Sequence, residues 1–144
     1  MSNIPSARQR KLVRERAGGY CEYCLSSVNF AVQSFECEHI IPAAQGGKTV
    51  ESNLAFACGG CNRCKSAKTM GADPDSGEIV PLFNPRTQLW YDHFAWNEDF
   101  TLVIGLTATG RATVQTLRLN RPGVVNLRRI LAAANEHPPK ITIT

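Results

Sequence analysis

A chain of 144 residues, 43% hydrophobic and 19% charged, has room for one domain of ordinary size or for a compact motif with an added layer, and not for two independent full-sized domains. No run of about 18 apolar residues occurs, which excludes a membrane-spanning helix, and the opening Met1-Ser2-Asn3-Ile4-Pro5 lacks the apolar stretch of a signal peptide. The formal charge of +4 lies wholly in the first half: residues 1–70 carry nine Lys and Arg against five Asp and Glu, and residues 71–144 carry seven of each. The expectation is a cytoplasmic protein without a membrane partner.

Taken in chain order, Ser6 is an N-cap for a helix running to about Ala17, with Leu12 and Val13 inward and Gly18-Gly19 as its stop. Arg8, Arg10, Lys11, Arg14 and Arg16 crowd this stretch. Such a basic helix attracts a polyanion, phosphate backbone above all, although a solvated helix face has the same composition. Tyr20-Cys21-Glu22-Tyr23-Cys24 then forms a knuckle. Phe35-Glu36-Cys37-Glu38-His39-Ile40-Ile41 is predicted as a short strand closed by Pro42. After the turn Gln45-Gly46-Gly47-Lys48, Asn53 to Ala57 is predicted as a second short strand, leading into Cys58-Gly59-Gly60-Cys61 and a short basic helix to about Lys68.

Asp73-Pro74-Asp75-Ser76-Gly77 is a turn cluster and the expected seam between halves, giving a core over 1–72 and an extension over 73–144 packed on it. Within the extension, Trp90 to Trp96, Thr101 to Thr107 and Arg111 to Leu119 are rich in β-branched and aromatic residues and are predicted as strands. Gly105 to Gly110 is predicted as a hairpin turn. A helix from Val124 to Asn135 follows, its apolar face formed by Val125, Leu127, Ile130, Leu131 and Ala134. Alternation along the Trp90 strand puts His93 with Tyr91 and Ala95 on the face opposite Trp90, Asp92, Phe94 and Trp96. An aromatic strand of this kind can stack bases but more often forms core, which is the expectation for His93, and His137 beside Pro138-Pro139 is expected to be exposed.

The six cysteines carry the strongest chemical signal. In a reducing compartment they are not expected to form structural disulfides, and two intervening residues let one tight turn present both sulfurs to one zinc ion. Cys21 and Cys24 form one pair. Cys58, Cys61 and Cys64 offer two overlapping choices for the second, and Gly59-Gly60 favours Cys58 with Cys61, because a knuckle needs backbone freedom. Cys37 and Cys64 are then packed thiols. A closed site of four sulfurs is structural: it clamps the segment before the first strand to the start of the helix after the second. The competing reading is that all six are buried free thiols.

Glu38-His39-Ile40-Ile41-Pro42, then Gly46-Gly47, Asn53-Leu54 and Cys58-Gly59-Gly60-Cys61-Asn62-Arg63-Cys64-Lys65, preceded by C-x-x-C and a basic helix, resembles the HNH endonuclease motif in its zinc-knuckle form over residues 8–68. The resemblance implies an α+β fold with a ββα-metal (His-Me finger) core, a basic N-terminal helix and a C-terminal extension of antiparallel strands plus a helix. It implies hydrolysis of DNA phosphodiester bonds with a single divalent metal ion. His39 would be the general base, since an ordinary imidazole near neutral pH can accept a proton. Glu38 and Asn62 would hold the cation, and their oxygen donors favour Mg²⁺ or Mn²⁺. Asn53 would orient the histidine ring. Arg10, Lys11, Arg14, Lys48, Arg63, Lys65 and Lys68 would contact nucleic acid, double-stranded DNA in the first instance.

Asn62 stands where many members place histidine, and Glu38 where many place aspartate or histidine. These departures leave two alternatives: a catalytically inactive, zinc-stabilised nucleic-acid-binding module, and a zinc-ribbon-like scaffold for protein contacts. The pairing of Glu38-His39 with Asn53 favours the nuclease, because neither alternative needs a base beside a metal ligand.

Overall fold

Ser6 begins the first helix as the sequence suggests. The computed structural model describes residues 3–140, and in it α1 spans Ala7–Arg16 with a complete capping box: the Ser6 side chain accepts from Gln9 N–H while the Gln9 side chain accepts from Ser6 N–H. Both otherwise orphaned donors are satisfied reciprocally, as such boxes achieve. Val13 is fully buried against Leu54 and Phe56, whereas Leu12 lies outward. The inward stripe of α1 is therefore narrower than expected.

Two short strands and a helix follow. β1 (Phe35–His39) pairs antiparallel with β2 (Leu54–Cys58), Glu38 opposite Ala55 and His39 opposite Leu54. Every residue of β2 is buried, because α1 and α2 (Gly59–Lys65) cover the ribbon from its two faces. Single-turn 3₁₀ segments at Ala43–Gln45 and Glu51–Asn53 shape the long connection between β1 and β2. Asn53 ties that connection down, accepting from Ile41 N–H and donating to the carbonyls of Ile41 and Lys48.

The second half departs from expectation at several elements. β3 (Met70–Ala72) and β4 (Ile79–Pro81) form a hairpin around the 73–78 turn, so the expected seam lies inside a paired unit. Asp73 has no exposed surface, and its two oxygens accept from Nε and Nη2 of Arg111, each at 2.9 Å. The Trp90–Trp96 segment is no continuous strand: one helical turn, α3 (Trp90–His93), precedes β5 (Phe94–Trp96), which pairs with β6 (Val103–Gly105). Trp90 is held by donating its indole N–H to the Tyr23 carbonyl at 2.9 Å, which sets it in the core independently of strand alternation.

Arg111 to Leu119 is mostly helix, not strand. α4 spans Ala108–Thr116, and Thr107 caps it by accepting from Gly110 N–H at 3.0 Å. The stretch predicted as a hairpin turn is the approach to this cap. Gly110 is required there by packing, since a Cβ would sit 2.1 Å from the His93 carbonyl oxygen. Local β-branched content loses to a good cap and to burial of Ala112 and Thr113.

α5 (Pro122–Ala133) lies near the expected span, but its one buried residue is Arg128. That guanidinium donates to the carbonyls of Thr101 and Leu119 and to Asn120 Oδ1, and lies over the Trp96 ring. Ile130, expected in the apolar face, is 66% exposed. His137 is also contrary to expectation: it is buried, with Nε2 2.8 Å from the Phe100 carbonyl oxygen and its ring edge-on to Trp96. His93 packs on Phe83 and bonds Thr107. One core runs through both halves, joining Cys21, Tyr23 and Ala57 to Phe83, Trp90 and Leu117. Among the described residues no helix is long and apolar enough to cross a membrane.

Candidate metal centres and nucleic-acid interface

The sulfurs of Cys21, Cys24, Cys58 and Cys61 all lie within 4.8 Å of one another, and all four residues are buried. Cys24 and Cys58 are 3.7 Å apart, against a tetrahedral edge of about 3.8 Å for zinc–thiolate bonds of about 2.3 Å. Each knuckle points a backbone N–H at its first sulfur, Cys24 N–H toward Cys21 and Cys61 N–H toward Cys58. Donor type, separation and burial together fit zinc. Cys64, half-buried one helical turn on, is not in the cluster, and neither is Cys37 on β1.

The reason for Gly59 and Gly60 differs from the one the sequence suggested. Both lie inside α2, whose N-cap is Cys58. They leave room for close approach: a Cβ on Gly60 would meet the Arg121 guanidinium at 2.5 Å and displace it, and one on Gly59 would crowd the Ser34 carbonyl oxygen at 3.0 Å. Arg121 uses that space to reach the sulfurs, with Nη2 3.3 Å from Cys58 Sγ and Nη1 3.6 Å from Cys61 Sγ. Four thiolates around a bound dication would carry a double negative charge, and this guanidinium would offset part of it. In turn, the sulfurs hold the Arg121 pKa above its ordinary value against the opposing effect of burial.

A second site lies along the open edge of β1. A groove of about 330 Å³ is lined by Glu36, Glu38 and His39 from β1, Pro42 and Ala43 beyond it, and Asn62 and Ser66 from the α2 side. His39 Nε2 is 2.8 Å from Thr49 Oγ1. Thr49 was not singled out from the sequence, and Asn53, expected to orient this ring, instead fixes the backbone around it. Nothing local in the sequence marks Thr49, ten residues from its partner.

Glu38, next to His39 on β1, lines the same groove but is buried where His39 is half-buried. Its carboxylate accepts from the Tyr23 hydroxyl at 2.5 Å and from the Lys65 ammonium at 3.4 Å. Burial pushes the Glu38 carboxyl up, while Lys65 and the Tyr23 bond pull against that shift. Burial also raises the Tyr23 phenol, and Glu38 adds to it. Asn62 is half-buried at the groove.

The expected nucleic-acid contacts divide. Arg10, Lys11, Arg14, Lys48, Arg63 and Lys68 are exposed. Lys65 is not: it is 1% exposed and spends its ammonium on Glu38 and on the Ile40 carbonyl, the latter at 3.0 Å. A helix residue that the motif turns toward the core binds inside the protein. Arg16 likewise works as a brace, donating to the Glu51 and Leu54 carbonyls.

With knuckles, hairpin and helix in this arrangement, one family model matches part of the chain. Residues 21–68 match the HNH endonuclease family model. The match covers the cysteine cluster, β1, β2 and α2, and excludes α1 and the extension. No curated protein and no solved structure gives a significant match. The match suggests nuclease chemistry in general for this segment, and nucleases of that family act on nucleic acids.

Proposed function

We propose that this protein is a metal-dependent endonuclease that hydrolyses DNA phosphodiester bonds, with β1, β2 and α2 as a ββα-metal core stapled by structural zinc. The observation that carries the reading is that His39, Glu38 and Asn62 line one groove open to a polynucleotide. His39 is the general base. A proton on Nε2, donated to Thr49, leaves Nδ1 with the free lone pair, which is the tautomer that can take a proton from water.

Glu38 and Asn62 are the protein ligands for Mg²⁺ or Mn²⁺, and the donor set fits a hard cation: a carboxylate with lone pairs beyond its two bonds, and a neutral amide oxygen. Such an ion, when bound, supplies Lewis-acid stabilisation of charge on the phosphate and the departing oxygen. Tyr23 and Lys65 hold the Glu38 carboxylate in position from behind. The exposed cations of α1, with Lys48, Arg63 and Lys68, attract the flanking phosphates, double-stranded DNA being the substrate we propose.

A second reading has its own supporting observation. Both Glu38 oxygens already accept from buried donors, which is what a binding module without catalysis would retain. Incubating the zinc-loaded protein with supercoiled plasmid and Mg²⁺ or Mn²⁺ separates the two. Metal-dependent nicking that disappears in His39→Ala is the expected result; salt-sensitive binding with no nicking by the wild type would sink the nuclease reading.

A further inference from the structure

A larger cleft, of about 630 Å³, lies on the other side of α2, between residues 30–33 and α5. Its walls are apolar and open to solvent: Phe30 is 43% exposed, Val32 103% and Ile130 66%, with Val124 and Leu127 between them. Leu127 and Ile130, two of the five residues that the sequence pattern assigned to the apolar face of this helix, line the cleft. Single exposed apolar residues are ordinary, but several around one concave surface mark a binding site.

Charge says what fits there. Arg63, Arg118 and Arg121 line the cleft, and among the described residues no acidic one does. Arg63 and Arg118 are exposed and make no ion pair among the described residues. Apolar walls with unpaired guanidiniums call for a ligand that is anionic along one side and flat and apolar along the other. Duplex DNA shows its base edges in its grooves and keeps its base faces stacked inside, so it cannot use such walls. An unpaired strand can, placing phosphates on arginine and base faces on Phe30. Position agrees: Asn62 lines the β1 groove while Arg63 and Cys64, the next residues of α2, line this cleft.

We infer that the cleft between residues 30–33 and α5 binds an unpaired segment of nucleic acid strand running over α2 from the β1 groove. The protein thereby selects substrates with single-stranded character next to the cut. This deepens the nuclease reading and rests on it for the strand's path, although the cleft can be tested independently.

The test is fluorescence anisotropy on the full-length, zinc-loaded protein, comparing a blunt duplex with the same duplex carrying an unpaired tail. The tailed probe is expected to bind about tenfold tighter, from the stacking of one or two bases. Phe30→Ala and Arg118→Gln are each expected to bring the ratio of the two affinities close to one, and Arg118→Gln also to lower the salt slope for the tailed probe by about one. Zinc content and thermal midpoint verify folding, and both side chains are exposed enough to be replaced. A wild type that nicks plasmid yet shows no preference for the tail overturns this inference and leaves the nuclease reading standing. A tail preference lost in both variants, with no nicking by the wild type, supports the cleft and removes the nuclease. A preference that survives both substitutions also overturns the inference, and an acidic peptide or a second copy of the chain would then be the occupant to examine.

Discussion

His39 and Thr49 form a pair across the loop that Asn53 holds: Nε2 and Oγ1 are 2.8 Å apart, and the Asn53 amide bonds the carbonyls of Ile41 and Lys48, on either side of the turn that carries Thr49 back to the strand. Orientation of the ring is thus divided between a hydroxyl that touches it and an amide that fixes the backbone. Removing the hydroxyl in Thr49→Val is expected to lower kcat for plasmid nicking about 10–100-fold, by analogy with the loss of partners that fix a catalytic or ligating imidazole, with KM little changed. Thr49→Ser restores most of the rate. A purely structural threonine would instead show a lowered thermal midpoint with kcat intact and no rescue by serine.

The cysteine cluster predicts one zinc per chain. Metal content measured on purified protein should fall in Cys21→Ser and in Cys58→Ser and stay unchanged in Cys64→Ser, whose side chain lies outside the cluster. Since binding of a structural zinc contributes directly to folding free energy, chelation should lower the thermal midpoint and broaden the transition. Arg121→Ala should release zinc faster under chelator challenge than Arg121→Lys, because the guanidinium donates to two sulfurs at once. Release of the ion by Cys64→Ser alone would overturn this ligand set.

How much of this was legible in the sequence follows from how far apart the partners are. The two C-x-x-C pairs were readable because three-residue spacing encodes one turn, and Ser6 because a cap and its partner lie three residues apart. β1 and β2 were found from short apolar alternation. Arg111–Leu119 was misread because Thr113, Val114 and Thr116 favour strands by composition, while the Thr107 cap and the fit of Ala112 and Gly110 against their neighbours decide for a helix. Glu38 and Lys65, 27 positions apart, and Arg121 with Cys61, 60 apart, leave no local trace of their pairing. Motif resemblance turned Lys65 toward phosphate for that reason, although its surroundings in the fold are a carboxylate and a carbonyl.

Asp73 and Arg111 make stability depend on acid in a defined direction. The two-pronged bond from Arg111, with further donors from Asp75 N–H and the Ser76 hydroxyl, holds the Asp73 carboxyl well below the usual carboxylate range. A depressed pKa in the folded state contributes stability that is fully present above the unfolded value, about 4, and is lost as pH falls toward the folded one. The thermal midpoint of Asp73→Asn should therefore lie below that of wild type near neutrality. The gap should narrow as pH drops below about 4, where Asp73 of the unfolded wild-type chain takes up a proton while the folded carboxylate still holds its charge. A gap independent of pH would mean that the bond contributes through shape alone.

Lys65 supplies the sharpest distinction between what the motif suggests and what the fold does with it. Its side chain is 2% exposed and that of Glu38 5%, so the pair is removed from solvent, and truncating one partner leaves the other charge buried alone. Breaking such a pair costs about 3–5 kcal/mol. Lys65→Met should accordingly lower the urea midpoint severely, at unchanged slope, and Glu38→Gln with Lys65→Met should recover part of the loss, since no uncompensated charge remains. Lys68→Met, on the exposed end of the same segment, should leave the urea midpoint within about 0.5 kcal/mol of wild type while weakening DNA binding in a salt-dependent way. If Lys65→Met instead weakened DNA binding with stability intact, the lysine would be reaching outward to phosphate, and the buried pair with Glu38 would have to be given up along with the positioning role assigned to it.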